Sequence, residues 1–362
     1  MSKTKICLVI PSLLPGGMER VMSELATYFS QTGSEVHLVL YGLKPSVFYF
    51  ISSNIEVHIP NWAFDNAKRT WHTIKRMAYL RKEVKTIHPD VVLSFGEYWN
   101  NFGLLSLWGL NTPIFVSDRC QPDKSLGKLH DSMRKYLYPT AKGVVAQTSI
   151  AKEIYYKQSL NKNIRVIGNP IRSIDSTSCI NSREKIVLSV GRLIESKHHD
   201  MLIDIFLQIN LPEWKLVIVG GDALKENGYS RLMRKIVESG AEDRVVLTGN
   251  ISNVDEYYLK SSIFAFTSSS EGFPNAIGEA MSAELSVVAF DCIAGPSDMI
   301  EDGKNGFLVP LFEKELFAQR LKFLMENGDM RMEMGKYAQS SMSRFTVEKI
   351  GREFYQFMTN GL

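Results

Sequence analysis

Residues 263–281, IFAFTSSSEGFPNAIGEAM, contain the passage from strand to helix that decides the fold. Ile263 to Thr267 is a short apolar and aromatic run closed by Ser268, Ser269 and Ser270, the pattern of a buried strand. Pro274 has no N–H to lose in the first turn of a helix, which places a helix start close to it. A strand running through a short loop into a helix is half of a βα unit, and such units in series build parallel sheets.

The same alternation recurs outward in both directions. Lys5 to Ile10, Glu35 to Tyr41, Asp90 to Phe95, Pro113 to Ser117, Gly143 to Gln147 and Ile164 to Ile167 predict one doubly wound sheet. Ile186 to Val190, Lys215 to Val219, Arg244 to Thr248, Ile263 to Thr267 and Ser286 to Phe290 predict another. Between the sets, residues 171–182, IRSIDSTSCINS, have no apolar period and five Ser/Thr, a linker composition. The 362 residues suffice for both domains, and 44% hydrophobic with 22% charged residues excludes a disordered or collagen-like chain. No short repeat points to a solenoid. Ile6 to Ile10 is too short for a signal peptide, and no run reaches the roughly 18 apolar residues of a membrane span. Cys7, Cys120, Cys179 and Cys292 form no C-x-x-C pair, so neither a zinc knuckle nor a disulfide framework is expected, and a reducing cytoplasm is.

Charge is divided unevenly. Residues 1–171 hold 21 Lys and Arg against 12 Asp and Glu, and the remainder 21 against 27. The first half therefore faces something anionic: a membrane surface, nucleic acid or a phosphorylated substrate.

Doubly wound sheets bind ligands beyond the carboxyl ends of their strands, so residues just after each strand carry the site. After the first strand, Gly16 and Gly17 let the backbone approach an anion beside a helix start, although a plain βα turn reads the same. The G-x-G-x-x-G spacing of a dinucleotide site is absent, which disfavours a dehydrogenase. After Val190 come Arg192, a planar fork, and Lys197, a point charge, which together can clamp a diphosphate. At an effective dielectric of about 20, each cation roughly 4 Å from a phosphate gains on the order of 4 kcal/mol. Glu271 precedes the helix near Pro274 and Glu279 lies within it, seven residues between them. One carboxylate can accept hydroxyl hydrogen bonds from a sugar and the other from a ribose. No D-x-D occurs, so no metal ligand set is expected, and charge on a departing diphosphate falls to the cations and helix-end N–H groups.

These motifs, together with Gly168-Asn169-Pro170, Val245-Val246-Leu247-Thr248-Gly249, Gly295-Pro296-Ser297 and Asp302-Gly303-Lys304-Asn305-Gly306, occur in the order of a known family. The chain resembles retaining glycosyltransferases of family 4, with the GT-B fold of two Rossmann-like domains facing a central cleft. The resemblance implies an acceptor-binding domain over 1–170, a linker over 171–184, a nucleotide-sugar domain over 185–343, and a segment over 344–362 crossing back to the first domain. Phe345, Ile350, Phe354 and Phe357 would supply the buried side of that last helix. Arg192 and Lys197 match the residues that neutralise the diphosphate, Glu271 the glutamate near the donor sugar, and Glu279 the one on the ribose. Phe273, Pro274, Asn275 and Ala276 match the turn supporting sugar and phosphate, Gly16 and Gly17 the first-domain loop that touches the diphosphate, and Ile251 would lie by the base. The family's usual route is front-face attack with the departing phosphate taking the acceptor's proton, so no cofactor beyond the nucleotide-sugar donor, UDP-linked by resemblance, is implied. Many relatives carry a histidine after a middle strand of the first domain. Here that loop reads Val116-Ser117-Asp118-Arg119-Cys120-Gln121, with Arg119 in its place, which leaves the first-domain assignment open.

Two readings stand for residues 66–88, where Lys68, Arg69, Lys75, Arg76, Arg81, Lys82 and Lys85 face a single Glu83. Lys68, Lys75 and Lys82 stack on one helix face, with Trp71, Ile74, Met77 and Val84 on another. This is either a solvated ridge or an interfacial helix drawn to anionic lipid. A second patch, Lys124, Lys128, Arg134 and Lys135, favours the membrane; no interleaved aromatics favour nucleic acid. Enzymes resembling this one often extend lipid-linked or other envelope glycans in bacteria, which suits a glycan or lipid-linked acceptor at the cytoplasmic face. A sugar-nucleotide epimerase on the same fold and a catalytically silent sugar-nucleotide binder remain the alternatives.

Overall fold

The computed structural model describes residues 3–43, 45–176, 183–223 and 226–360. It divides into two units, the first formed by Met1–Pro170 with Val347–Leu362, the second by Ile171–Thr346.

In the first unit, β1 (Lys5–Ile10), β2 (Glu35–Leu40), β3 (Glu56–His58), β4 (Val91–Phe95), β5 (Ile114–Ser117), β6 (Gly143–Ala146) and β7 (Ile164–Val166) form one parallel sheet in the order β3-β2-β1-β4-β5-β6-β7. The strands are short, Val/Ile-rich and nearly continuous in burial at the centre, as expected of a sheet covered on both faces. Helices α1 (Gly17–Gln31), α2 (Arg69–Ile87), α3 (Glu97–Ser106), α4 (Lys128–Leu137) and α5 (Ser149–Lys157) connect them.

The second unit repeats the plan. β8 (Ile186–Val190), β9 (Lys215–Val219), β10 (Val245–Leu247), β11 (Ile263–Phe266), β12 (Ser286–Asp291) and β13 (Phe307–Pro310) are parallel, ordered β10-β9-β8-β11-β12-β13. Its core joins Val187, Ile218, Ile263 and Phe290 on the sheet to Leu202 and Phe206 of α6 (His199–Ile209) and Phe317 and Leu321 of α11 (Lys314–Glu326). Helices α7 (Gly228–Glu238), α8 (Asp255–Lys260), α9 (Asn275–Ser282), α10 (Pro296–Met299) and α12 (Gly328–Ser341) complete it. The expected strands all form; β3 and β13 were not among them.

Several expectations need correction. Ile171 and Ile174 of the expected linker are buried, and Ile171 N–H donates to the Phe345 carbonyl at 2.7 Å, so the segment's start packs within the second unit. Burial of those apolar side chains outweighs the polar composition. Residues 177–182, with Cys179, lie outside the described residues. Phe345 stands edge-on to Phe273 in the second unit rather than on the last helix. α13 (Val347–Thr359) itself belongs to the first unit, burying Ile350, Phe354 and Phe357, with Phe357 edge-on to Phe115 at 5.1 Å. Arg134 is buried against Asp118 and contributes nothing to a surface patch. On α2 the core face is Arg76, Leu80, Val84 and Ile87, while Trp71 and Ile74 are exposed. Arg76 donates to the Tyr41 carbonyl at 3.2 Å and Arg81 to those of Ser106 and Trp108, so both are structural rather than part of the basic ridge. No helix among the described residues is long and apolar enough to cross a membrane.

Candidate active site

Strand order reverses between β8 and β11, which pair directly in the second sheet. The crevice at such a reversal, beyond the carboxyl ends, is where open α/β sheets take ligands. The loops leaving those two strands are the ones carrying Arg192 and Lys197, and Glu271. They are stitched together: Thr267 Oγ1 donates to the Lys197 carbonyl at 2.8 Å, Ser269 N–H to the Ser196 carbonyl at 2.8 Å, and His198 Nε2 lies 2.8 Å from Ser269 Oγ. The serine run that closes the strand in sequence thus fastens the neighbouring loop. Lys197 Nζ pairs with Glu271 Oε1, both side chains largely shielded from solvent. Arg192, two residues past β8, is exposed.

Gly220, at the end of β9, lets this loop seat: a Cβ there, at φ +150°, would stand 1.9 Å from the Gly191 carbonyl oxygen. His199, first residue of α6, is buried beneath the loop. Burial, and then the Lys197 charge, bring its pKa down to about 4, so the imidazole is neutral at physiological pH.

Pro274 sits at the N-cap of α9 and Phe273 is buried beneath the turn; Asn275, Ala276 and Ile251 are partly exposed. Gly295, at φ +107°, admits the start of α10 against that turn, since a Cβ there would meet Pro274 Cδ at 2.1 Å. Glu279 is not a solvated helix residue: Tyr258 Oη donates to its Oε2 at 3.2 Å and Arg172 Nε lies 3.3 Å from its Oε1. Arg172 also pairs with Asp255. Although burial opposes it, these two carboxylates hold the Arg172 guanidinium's pKa above its usual value. Arg172, Tyr258 and Asp255 escaped the sequence reading; the signal lay in Arg172 directly following Gly168-Asn169-Pro170-Ile171.

In the first unit the order reverses between β1 and β4. Gly16, after β1, is held at both backbone groups by Tyr49, whose hydroxyl accepts from its N–H at 2.8 Å and donates to its carbonyl at 2.9 Å. That N–H is therefore engaged, and the exposed start of α1 at Gly17 is the part of the loop facing solvent. Beyond β5, Glu97 of α3 accepts the backbone N–H groups of Arg119 and Cys120 at 2.7 and 2.5 Å. Burial and the nearby Asp118 raise the Glu97 pKa. Asp118 is fully buried among Arg134, Tyr138 Oη and Asn100 Nδ2. Arg119 lies with its guanidinium 3.5 Å over the Phe95 ring and donates to Asn169 Oδ1. Burial brings its pKa down to about 9 against the opposing pull of Glu97 and Asp118.

Residues 15–173 match the family model "Glycosyltransferase Family 4" and residues 171–341 the model "Glycosyl transferases group 1". The chain is similar to the Erwinia amylovora amylovoran biosynthesis glycosyltransferase AmsD, 27% identical over 92% of this chain and 93% of that one. It is 26% identical, over 98% of both chains, to a Campylobacter jejuni N-acetylgalactosaminyltransferase named for a diNAcBac-PP-undecaprenol-linked acceptor. In fold it matches Anabaena HepE, solved with UDP and glucose, with a TM-score of 0.78 at 21% identity over 98% of each chain. The protein is a glycosyltransferase with the GT-B fold.

Proposed function

We propose that the protein is a retaining glycosyltransferase of family 4 that moves a hexose or N-acetylhexosamine from a UDP-sugar to a lipid-linked glycan acceptor at the inner face of the cell membrane. The observation that carries the reading is the Lys197–Glu271 pair at the β8/β11 reversal, on loops fixed by Thr267 and Ser269. A diphosphate entering there gives Lys197 a stronger anion to neutralise and frees Glu271 for the sugar's hydroxyls. Arg192 and the first-turn N–H groups of α9 add positive potential as the leaving group gains charge. In the reaction the anomeric C–O bond to the diphosphate breaks, the bond to the acceptor oxygen forms on the same face, and the hydroxyl proton passes to the departing phosphate. Glu279, oriented by Arg172 and Tyr258, takes the ribose hydroxyls.

A panel of UDP- and GDP-sugars incubated with undecaprenol-diphosphate-linked glycans tests this. Release of UDP coupled to an α-linked product is expected, with turnover persisting in excess chelator. Nucleotide release in no combination, or a β-linked product from an α-linked donor, overturns it.

The membrane part is supported by Lys68, Lys75 and Lys82, all exposed, beside exposed Trp71 and Ile74. Each basic residue near an anionic surface is worth about 1 kcal/mol. Replacing the three lysines with glutamate should abolish co-sedimentation with phosphatidylglycerol vesicles and spare activity on a water-soluble acceptor. Wild-type protein that fails to sediment at low salt removes the membrane from the proposal.

A further inference from the structure

At the other end of the first sheet, five side chains converge that no part of the transferase reading uses. Strands β2 and β3 are paired in parallel with His37 opposite Glu56. Side chains two apart share a face of a strand, so Glu35 and His37 on β2, and Glu56 and His58 on β3, form a staggered cluster on one face, with His58 opposite Val39. Glu83 of α2 stands beside it. Glu35 and Glu56 open their strands, His37 is in the middle of β2 and His58 closes β3; the cluster lies at the β3 edge of the sheet, whereas the order reverses between β1 and β4.

The inner atoms of this cluster are electron-rich and face one another. His37 Nδ1 is 3.0 Å from His58 Nε2 and 3.3 Å from Glu56 Oε2. The outer ring nitrogens are turned toward carboxylates, His37 Nε2 at 3.0 Å from Glu35 Oε1 and His58 Nδ1 at 3.2 Å from Glu83 Oε2. A neutral imidazole has one N–H, and a carboxylate only accepts. With each proton directed outward, two lone pairs and a carboxylate oxygen meet at the centre without a hydrogen among them. A cation at that point resolves the conflict. Carboxylate partners on the outer nitrogens are also how metal-ligating histidines are oriented and made more basic.

We propose that His37 Nδ1, His58 Nε2 and Glu56 form a site for a divalent cation of the zinc class, with Glu35 and Glu83 orienting the two imidazoles. Two imidazole nitrogens and one carboxylate suit Zn²⁺, which sits about 2.0 to 2.2 Å from such atoms. Tetrahedral ligands at that distance are about 3.3 to 3.6 Å apart; His37 Nδ1 is 3.0 Å from His58 Nε2 and 3.3 Å from Glu56 Oε2, and His58 Nε2 is 3.9 Å from Glu56 Oε1. His58 also lines an open groove, with Asn61, Lys82 and Glu83, through which an ion and a fourth, solvent ligand have access. Lys5, 2.9 Å from Glu35, offsets part of the acidic charge, so the histidines and Glu56 carry the selectivity. The ion joins edge strand β3 to β2, which makes its role structural.

Full-length protein stripped with chelator and titrated with ZnCl₂ by calorimetry tests the site. One zinc per chain is expected, with a raised Tm and, for Co²⁺ in its place, visible absorption bands of a low-symmetry nitrogen and oxygen site. Affinity should fall at least about 100-fold in His58→Ala and, as an outer partner, about 10- to 100-fold in Glu83→Gln. Exposed Glu56→Gln, which preserves volume, serves where His58→Ala does not fold, and should also lose the cobalt bands. His72→Ala should bind as wild type. Absence of stoichiometric binding, or equal affinity in Glu56→Gln and wild type, overturns the proposal.

Discussion

In the second unit the two loops at the strand reversal hold each other through serine and threonine hydroxyls, and a lysine meets a glutamate near the surface. In the first unit the loop beyond β5 is held from below, by Asp118 with Arg134 and Tyr138, and by Glu97 on its backbone. One arrangement leaves its charged pair partly exposed. The other encloses the charge and fixes only a backbone. Two parallel sheets that share the same order over six strands thus carry their ion pairs differently, partly exposed in one and enclosed in the other.

The largest effect should come from breaking the enclosed pair. Arg134→Met leaves Asp118 buried and unpaired, a loss of about 3–5 kcal/mol measurable by urea denaturation. Adding Asp118→Asn should restore much of it, and a double variant as unstable as the sum of the singles would contradict the pairing. Lys197→Ala should do the opposite, lowering kcat about 100- to 1,000-fold while costing less stability than Arg134→Met. Unchanged kcat would remove Lys197 from the mechanism.

A third measurement probes the floor of the lysine loop. His199 has a folded pKa of about 4 against an ordinary 6.5. The unfolded chain therefore binds the proton first, so stability is complete above about pH 6.5 and declines as pH falls toward 4, by on the order of 3 kcal/mol. His199→Leu should flatten that slope, and an unchanged acid profile would mean that the imidazole is hydrated. Smallest of the four, Glu279→Ala should weaken UDP binding about 10-fold, the scale of one charged hydrogen bond. Equal affinity in wild type and variant would limit Glu279 to structural contacts such as those with Arg172 and Tyr258.

What could be read from sequence follows the same division. The second-unit loops are legible because each follows a strongly apolar strand and carries its charged residues within a few positions. β3 is three residues long, and β13 is four, half-exposed and closed by Pro310, tolerable only at an edge. Neither offers enough period to register. Arg134 read as a surface cation because Asp118 is 16 residues away and nothing in the sequence marks the two as enclosed. Arg172 was hidden by a polar neighbourhood, although Ile171 and Ile174 beside it are core. The cluster of His37, Glu56 and His58 depends on strand register, which composition does not convey.

The return of α13 to the first unit sets an order on synthesis. Gly351 is packed so closely on Tyr28 that a Cβ would stand 2.3 Å from its ring, and Gly143 is packed likewise against Phe357 at 2.7 Å. Those surfaces wait uncovered while Ile171–Thr346 is translated, roughly 10 to 35 s at ribosomal speeds of about 5–20 residues per second. Throughout that interval the nascent first unit lacks its closing helix, and Phe95, Phe115 and the α1 face are without the partners that α13 later supplies.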